Sequence, residues 1–266
     1  MIHPTAIVDD SAVVAEGVEI GPYSIIGADV TIGAGTRVES HVVIKGPTTI
    51  GEDNHFFQFA SIGEAPQDLK YKGEPTRLEI GDNNIFRESC TVNRGTVGGG
   101  GVTRVGNHNL IMAYVHIAHD CIIHNHVVLV NNASLAGHVT IHDHVILGGF
   151  TLVSQFLTIG SYVFSTMGSA INKNIPPYIL VSGNLARPVN LNIVGLRRNG
   201  FGREPLQAMK RVYKLLFHGH NPLDEVVGEI SGMIKEHGEL QPFLEFIELH
   251  RESKAGIIRS GERKGG

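Results

Sequence analysis

The sequence predicts a mainly β chain: a triangular parallel β-solenoid followed by a small α-helical domain. Three observations carry this reading. Apolar residues recur at every sixth position over two thirds of the chain. The period fails after Ile171, and Pro176-Pro177 closes it. From about Asn190 the apolar spacing becomes helical.

Counting every sixth residue from Ile2 reaches Val8, Val14, Ile20, Ile26, Ile32, Val38, Ile44, Ile50, Phe56 and Ile62, all apolar. The phase returns at Ile80, Phe86 and Val92, then slips by one residue across Gly98–Gly101. A second series runs from Val105 to Ile171 and is broken only at Ser165. A helix would repeat its apolar face every 3.6 residues, and a lone strand every two. Six fits short strands that turn a corner after each hexad. Three hexads close one coil, so residues 18 apart stack on successive rungs, roughly 4.8 Å apart. The marked aliphatics point into the prism, and each rung depends on its neighbours for burial. Glycines follow marked residues at Gly21, Gly27, Gly33, Gly51 and Gly63, where they relieve crowding or permit unusual backbone angles.

Two segments should leave the prism. Asp68 and Glu74 fall at inward positions, which a dry core does not accept unpaired, so 64–79 should project as a loop. The glycine run marks a second loop near 96–103. The solenoid is assigned to 1–189 and the helical domain to 190–266. Leu206, Met209, Tyr213 and Leu216 share one helical face. Leu223, Val226, Val227, Ile230, Met233 and Ile234 form a second stripe, and Leu240, Phe243, Leu244 and Ile247 a third. Asn221-Pro222 reads as an N-cap with proline at the first helical position. The tail Arg259–Gly266 should fray.

Composition narrows the function. The 266 residues carry 22 Lys plus Arg against 26 Asp plus Glu, a net charge of −4 that argues against a general nucleic-acid binder. Cys90 and Cys121 allow at most one disulfide, which excludes a disulfide scaffold. The chain shows neither an apolar run of about 18 residues nor a signal-peptide pattern, and the expected setting is cytoplasmic, with no integral membrane segment. Charge is uneven: Arg187, Arg197, Arg198, Arg203, Lys210, Arg211 and Lys214 face a single acid, Glu204. That balance suits an anionic partner, or simply a solvated face.

Ten of the 15 histidines lie between His41 and His144. Adding 18 to His119 reaches Gly137, and again Gln155; adding 18 to Asp120 reaches His138. An imidazole beside a carboxylate, stacked on a glycine amide, can accept a hydroxyl proton and stabilise an oxyanion. Most single histidines at such corners are surface residues, and only the column raises these above the rest.

Several stretches closely resemble the UDP-N-acetylglucosamine O-acyltransferases of lipid A biosynthesis. They are Gln67 through Arg77, Arg94-Gly95-Thr96, His116 through Cys121, Ala136-Gly137-His138, and Asn184 through Arg198. The hexapeptide pattern likewise resembles the left-handed parallel β-helix of bacterial acyltransferases. The hand comes from that resemblance alone, since the rule for parallel crossovers predicts the opposite one. The resemblance implies transfer of an (R)-3-hydroxyacyl group from acyl carrier protein to the glucosamine 3-hydroxyl of the UDP-sugar. His119 matches the general base, Asp120 its orienting acid and Gly137 the oxyanion donor. Gln67, Asp68, Lys70, His116, His138 and Gln155 match donor- or sugar-binding positions, and Asn192 and Arg198 nucleotide-side positions. Met167 matches a hydrocarbon ruler, which implies a short chain of about ten carbons. Arg197, Arg203, Lys210, Arg211 and Lys214 would meet the acidic carrier protein. The family is a homotrimer with sites between subunits, and neither a metal nor a cofactor is expected.

Asn93 and Ser154 stand where histidines are common in that family, and Val194 and Asn199 replace an acid and an arginine. A 3-amino sugar acceptor therefore stays open. So do an N-acyltransferase or a coenzyme A-dependent acetyltransferase on the same scaffold, a zinc hydratase resembling γ-class carbonic anhydrases, and a non-catalytic solenoid.

Overall fold

The structure, a computed structural model, describes residues 1–219 and 221–259. Three parallel sheets form the faces of a prism. The first face begins at Ile7–Val8, the second at Val13–Val14 and the third at Glu19–Ile20. Partners on a face lie 18 residues apart, as in Ile7 with Ile25 and His116 with Ser134. The inward aliphatics from Ile20 to Ile171 are buried. Each such side chain contributes about 1.5–3 kcal/mol by leaving water. Ser165, the one polar inward residue of the second series, is fully buried and satisfied. Its hydroxyl accepts from the Gly148 N–H at 3.1 Å and shares a hydrogen bond with Thr151 at 2.8 Å.

The corners follow one rule. The third residue after a marked aliphatic has a left-handed backbone: Tyr23, His41, His108, Asp120, His138 and Phe156 all have φ near +60°. Non-glycine residues hold these strained angles because each corner is fixed by the rungs around it. The glycines directly after the aliphatics serve another purpose. Gly21, Gly27, Gly33 and Gly51 do not have positive φ. A Cβ on Gly21 would lie 2.7 Å from the Glu39 carbonyl carbon, so close approach of rungs excludes a side chain. Gly63, with φ +75°, combines both demands.

Two departures lengthen the coil. Ile62 pairs with Val92, 30 residues on, so this rung carries twelve extra residues. Val92 pairs with Ile117, 25 residues on, which adds seven. The loops are shorter than expected. Arg77–Ile80 already pairs with Thr48–Ile50 and Val102–Val105, so residues 77–79 and 102–103 belong to strands. Both insertions leave the prism at one edge, between the first and second faces.

The solenoid ends differently from the sequence expectation. Ile179–Ser182 continues the third face, and Arg187–Leu191 folds back antiparallel on it, so Asn190 and Leu191 lie in a strand. The helices are α1 (Ile193–Arg198), α2 (Arg203–Phe217), α3 (Leu223–Ile234) and α4 (Gln241–His250). They pack Leu206, Met209, Tyr213, Leu216, Val226, Ile230, Phe243 and Ile247 together. The expected cap of α3 shifts by one residue: Pro222 is the N-cap, and Asn221 donates instead to the Leu215 carbonyl. Asn174 ties the domain to the last rung through Ser253 and the Ile258 N–H. Of the tail expected to fray, Arg259 donates to the Leu216 carbonyl, and the rest lies outside the described residues. No helix among the described residues is long and apolar enough to cross a membrane.

Candidate active site

The edge that carries both insertions also carries the expected catalytic residues. His119-Asp120, Gly137-His138 and Gln155 occupy successive corners there, directly above the two loops. The period of 18 sets the vertical alignment, and the left-handed angles at Asp120 (+61°) and His138 (+63°) turn both side chains at the same corner position.

His119 Nδ1 lies 2.7 Å from Asp120 Oδ2. The Asp120 side chain is 1 % exposed and that of His119 13 %. An ionised carboxylate only accepts, so Nδ1 carries the proton and Nε2 presents its lone pair. Asp120 is held from below as well. The Thr96 N–H donates to Oδ1 and the Thr96 hydroxyl to Oδ2, each at 2.7 Å. The Asp120 N–H donates to Thr103 Oγ1 at 2.8 Å. A Cβ on Gly99 would overlap the Asp120 carboxylate, so glycine lets the 97–99 turn close over it. Sequence reasoning missed Thr96, Gly99 and Thr103 as site residues. Counting by 18 cannot cross an insertion whose length the period does not give.

Gly137 lies against the His119 ring, and its N–H has no acceptor among the described residues. The same is true at the matching corner positions Ala113 and Asn131, so the outward amide is a property of the corner. What distinguishes Gly137 is the imidazole beside it. His138 meets His119 edge-on, with ring centroids 5.2 Å apart, and stacks on Phe156. Its Nε2 is 3.6 Å from Asp120 Oδ2. Desolvation lowers the His138 pKa; Asp120 opposes that shift, and Asp68 on the first loop does so more weakly. His116 is also lowered, mainly by burial, and its Nδ1 is 2.7 Å from the Thr91 hydroxyl.

The first loop projects beside this group. Asp68 Oδ1 accepts from the Lys70 N–H at 2.9 Å, a local turn that leaves Gln67 and the Lys70 side chain exposed. Asn93 and Arg94 pin the loop's base: Asn93 Nδ2 donates to Ala65, and Arg94 donates to the Gly63 carbonyl and the Tyr71 hydroxyl. Asn93 therefore acts on loop position from a buried site. Burial pushes the thiols of Cys90 and Cys121 up to about 12, so neither supplies a thiolate.

Other expected site residues lie elsewhere on the chain. Met167 is 77 % exposed on the edge between the third and first faces. Asn192 caps α1, accepting from Gly195 and donating to the Tyr162 carbonyl, so both ends of its amide serve the fold. Arg198 is exposed at the end of α1. Arg197, Arg203 and Lys210 line a groove of about 420 Å³ between α1 and α2. Lys214 is exposed on the same helix, whereas Arg211 is engaged by Glu229 of α3 at 2.7 Å.

A hexapeptide β-helix with a histidine–carboxylate pair on one edge fits an acyltransferase of the hexapeptide class. Residues 103–137 match the model of bacterial transferase hexapeptide repeats. Residues 174–258 match that of UDP-N-acetylglucosamine O-acyltransferase, domain 2. The fold is similar to UDP-N-acetylglucosamine O-acyltransferase from Moraxella catarrhalis, at 46 % identity, TM-score 0.94, and 97 % and 99 % coverage of this chain and that one. The corresponding enzyme of Francisella novicida is 42 % identical, with TM-score 0.94 and coverage of 98 % and 95 %. That of Arabidopsis is 30 % identical, with TM-score 0.83 and coverage of 98 % and 100 %. The chain belongs to the UDP-N-acetylglucosamine O-acyltransferase family, and its solenoid is the left-handed parallel β-helix.

Proposed function

We propose that the chain transfers a 3-hydroxyacyl group from acyl carrier protein to the 3-hydroxyl of UDP-N-acetylglucosamine, with His119 as general base. The observation that carries this reading is the 2.7 Å contact of His119 Nδ1 with Asp120, which leaves Nε2 a lone pair beside Gly137. The sugar hydroxyl attacks the thioester carbonyl carbon while Nε2 takes its proton. The tetrahedral oxyanion accepts the Gly137 N–H. Collapse forms the ester and breaks the carbon–sulfur bond, and the departing phosphopantetheine thiolate takes the proton back from the imidazolium. Asp120 steadies that imidazolium without itself being protonated. No cofactor enters these steps.

Gln67, Asp68 and Lys70 on the first loop, with His116, His138 and Gln155 on the rungs above, would hold the sugar and the donor. Met167, Asn192 and Arg198 lie on other edges or at the helical end, so the complete site needs a second copy. A homotrimer would supply it, and the edge bearing Met167 is suited to contact: Tyr23, Phe59, Tyr114 and Phe150 are exposed there, alternating with His41, Ser89 and Asn132. The cationic groove between α1 and α2 would receive the acidic carrier protein.

The test is product mass after incubation with UDP-N-acetylglucosamine and an equimolar set of 3-hydroxyacyl carrier proteins. One hydroxyacyl group added to the sugar nucleotide is expected. No product with this acceptor, and product with the 3-amino sugar, would replace the ester with an amide. No product with either would overturn the reading.

A further inference from the structure

We propose that Thr96 is a positioning residue for the His119–Asp120 pair, and that the seven-residue insertion exists at this edge to place it there. The proposal rests on the reading of His119 as the base.

At most corners the left-handed residue donates its N–H to a carbonyl on the rung below: His138 to His119, Phe156 to Gly137, Asn132 to Ala113. Near the start of the prism Tyr23 and Asp29 donate to the hydroxyls of Thr5 and Ser11. Asp120 has no such rung beneath it, because the insertion replaces that corner. Its N–H goes to the Thr103 hydroxyl instead. Its carboxylate takes the Thr96 N–H on one oxygen and the Thr96 hydroxyl on the other. A single residue thus grips both oxygens and fixes the plane of a group whose terminal torsion is otherwise broad.

The consequence falls on His119. Oδ2 receives both the Thr96 hydroxyl and His119 Nδ1. Oxygen placement decides which imidazole nitrogen carries the proton, and only Nδ1 protonation leaves Nε2 able to act as a base. Thr96 touches neither substrate nor reacting atoms in this account; it acts through Asp120. Gly99 completes the arrangement, because a side chain there would press on the carboxylate.

The experiment is steady-state kinetics with UDP-N-acetylglucosamine and a 3-hydroxydecanoyl carrier protein, on full-length Thr96→Val, Thr96→Ser, Gly99→Ala, Asp120→Ala and Thr96→Val/Asp120→Ala. Thr96→Val should lower kcat by about tenfold, the worth of one hydrogen bond to a charged group, with KM within about twofold. Serine restores the hydroxyl and should restore kcat. In the Asp120→Ala background the valine should cost less than about twofold, since nothing is left to position. Wild-type kcat in Thr96→Val, a loss carried by KM, or an equal loss in both backgrounds would each overturn the proposal. If Thr96→Val does not fold, Gly99→Ala decides: it keeps both donors and displaces the carboxylate, so unchanged kcat there overturns it. His119→Ala is run alongside. Retained activity in that variant removes the base reading and this proposal with it, whereas an inactive His119→Ala beside a fully active Thr96→Val removes the proposal alone.

Discussion

A Cβ on Gly137 would stand 2.6 Å from Cε1 of His119 and 2.8 Å from its Nε2. Gly137 does not have positive φ, so alanine meets no backbone penalty there. Gly137→Ala keeps the N–H that would hold the oxyanion and changes only the space for the ring. Kinetics should show kcat lower by at least about a hundredfold, the scale of a misplaced catalytic group. The melting temperature should stay near that of the parent. Unimpaired turnover would mean that the ring is not held against this corner during reaction.

The column that brings Gly137 over His119 was legible because a solenoid converts sequence distance into height. Ile117 and Leu135 must both point inward, and that fixes their corners one above the other. The same constraint made Ser165 visible as an exception. The cradle under Asp120 was not legible. Thr96 reaches it from an insertion, where the count of 18 no longer applies, and a lone threonine carries no periodic mark. The left-handed angles were also hidden, because Asp, His, Tyr and Phe all adopt them and share no side-chain chemistry. Met167 follows the same arithmetic: its distance from His119 is not a multiple of 18, and it projects from another edge.

Met167 should decide acyl length. Its exposed side chain on the third-to-first edge would close a groove shared with a second copy. Met167→Gly should shift the preferred donor toward longer chains, with about 0.8 kcal/mol gained for each additional buried methylene. Competition between carrier proteins of graded chain length, read by mass spectrometry, measures this. The same preference before and after substitution would assign the methionine to space filling.

Acid should weaken the fold through the edge opposite the proposed site. His108, His126 and His144 stack with centroids 4.8–5.0 Å apart, and Tyr162 continues the column. Burial lowers the His144 pKa, His126 lowers it further, and Asp143 opposes them. His142 is lowered by burial, then by His124, against Asp143. Below the ordinary value of 6.5 the unfolded chain therefore binds more protons than the folded one. Stability is complete above that pH and is lost as pH falls from about 7 toward 5. Thermal melts across this range should show it, at about 2–4 °C for each kcal/mol. His144→Phe keeps the stack and a residue type that Phe150 and Phe156 show to be accepted at this angle. It should flatten the pH dependence of the melting temperature; an unchanged slope would place the titration elsewhere.

His119, Asp120 and His138 are the one group of three metal-capable side chains found together among the described residues. Their geometry suits a base with its orienting carboxylate better than a zinc site. Asp120 Oδ2 already accepts from His119 Nδ1 and the Thr96 hydroxyl, and Oδ1 accepts the Thr96 N–H. A metal on either oxygen would compete with a donor at 2.7 Å, and a metal on Nδ1 would remove the proton that sets the tautomer. A zinc hydratase needs a metal to lower the pKa of its water, and so loses activity with it. Elemental analysis of purified protein should find well below about one zinc per chain, and a chelator should leave acyl transfer unchanged while added zinc inhibits it by occupying the base. Stoichiometric zinc together with chelator-sensitive activity would transfer the chemistry from His119 as a base to a metal-bound hydroxide.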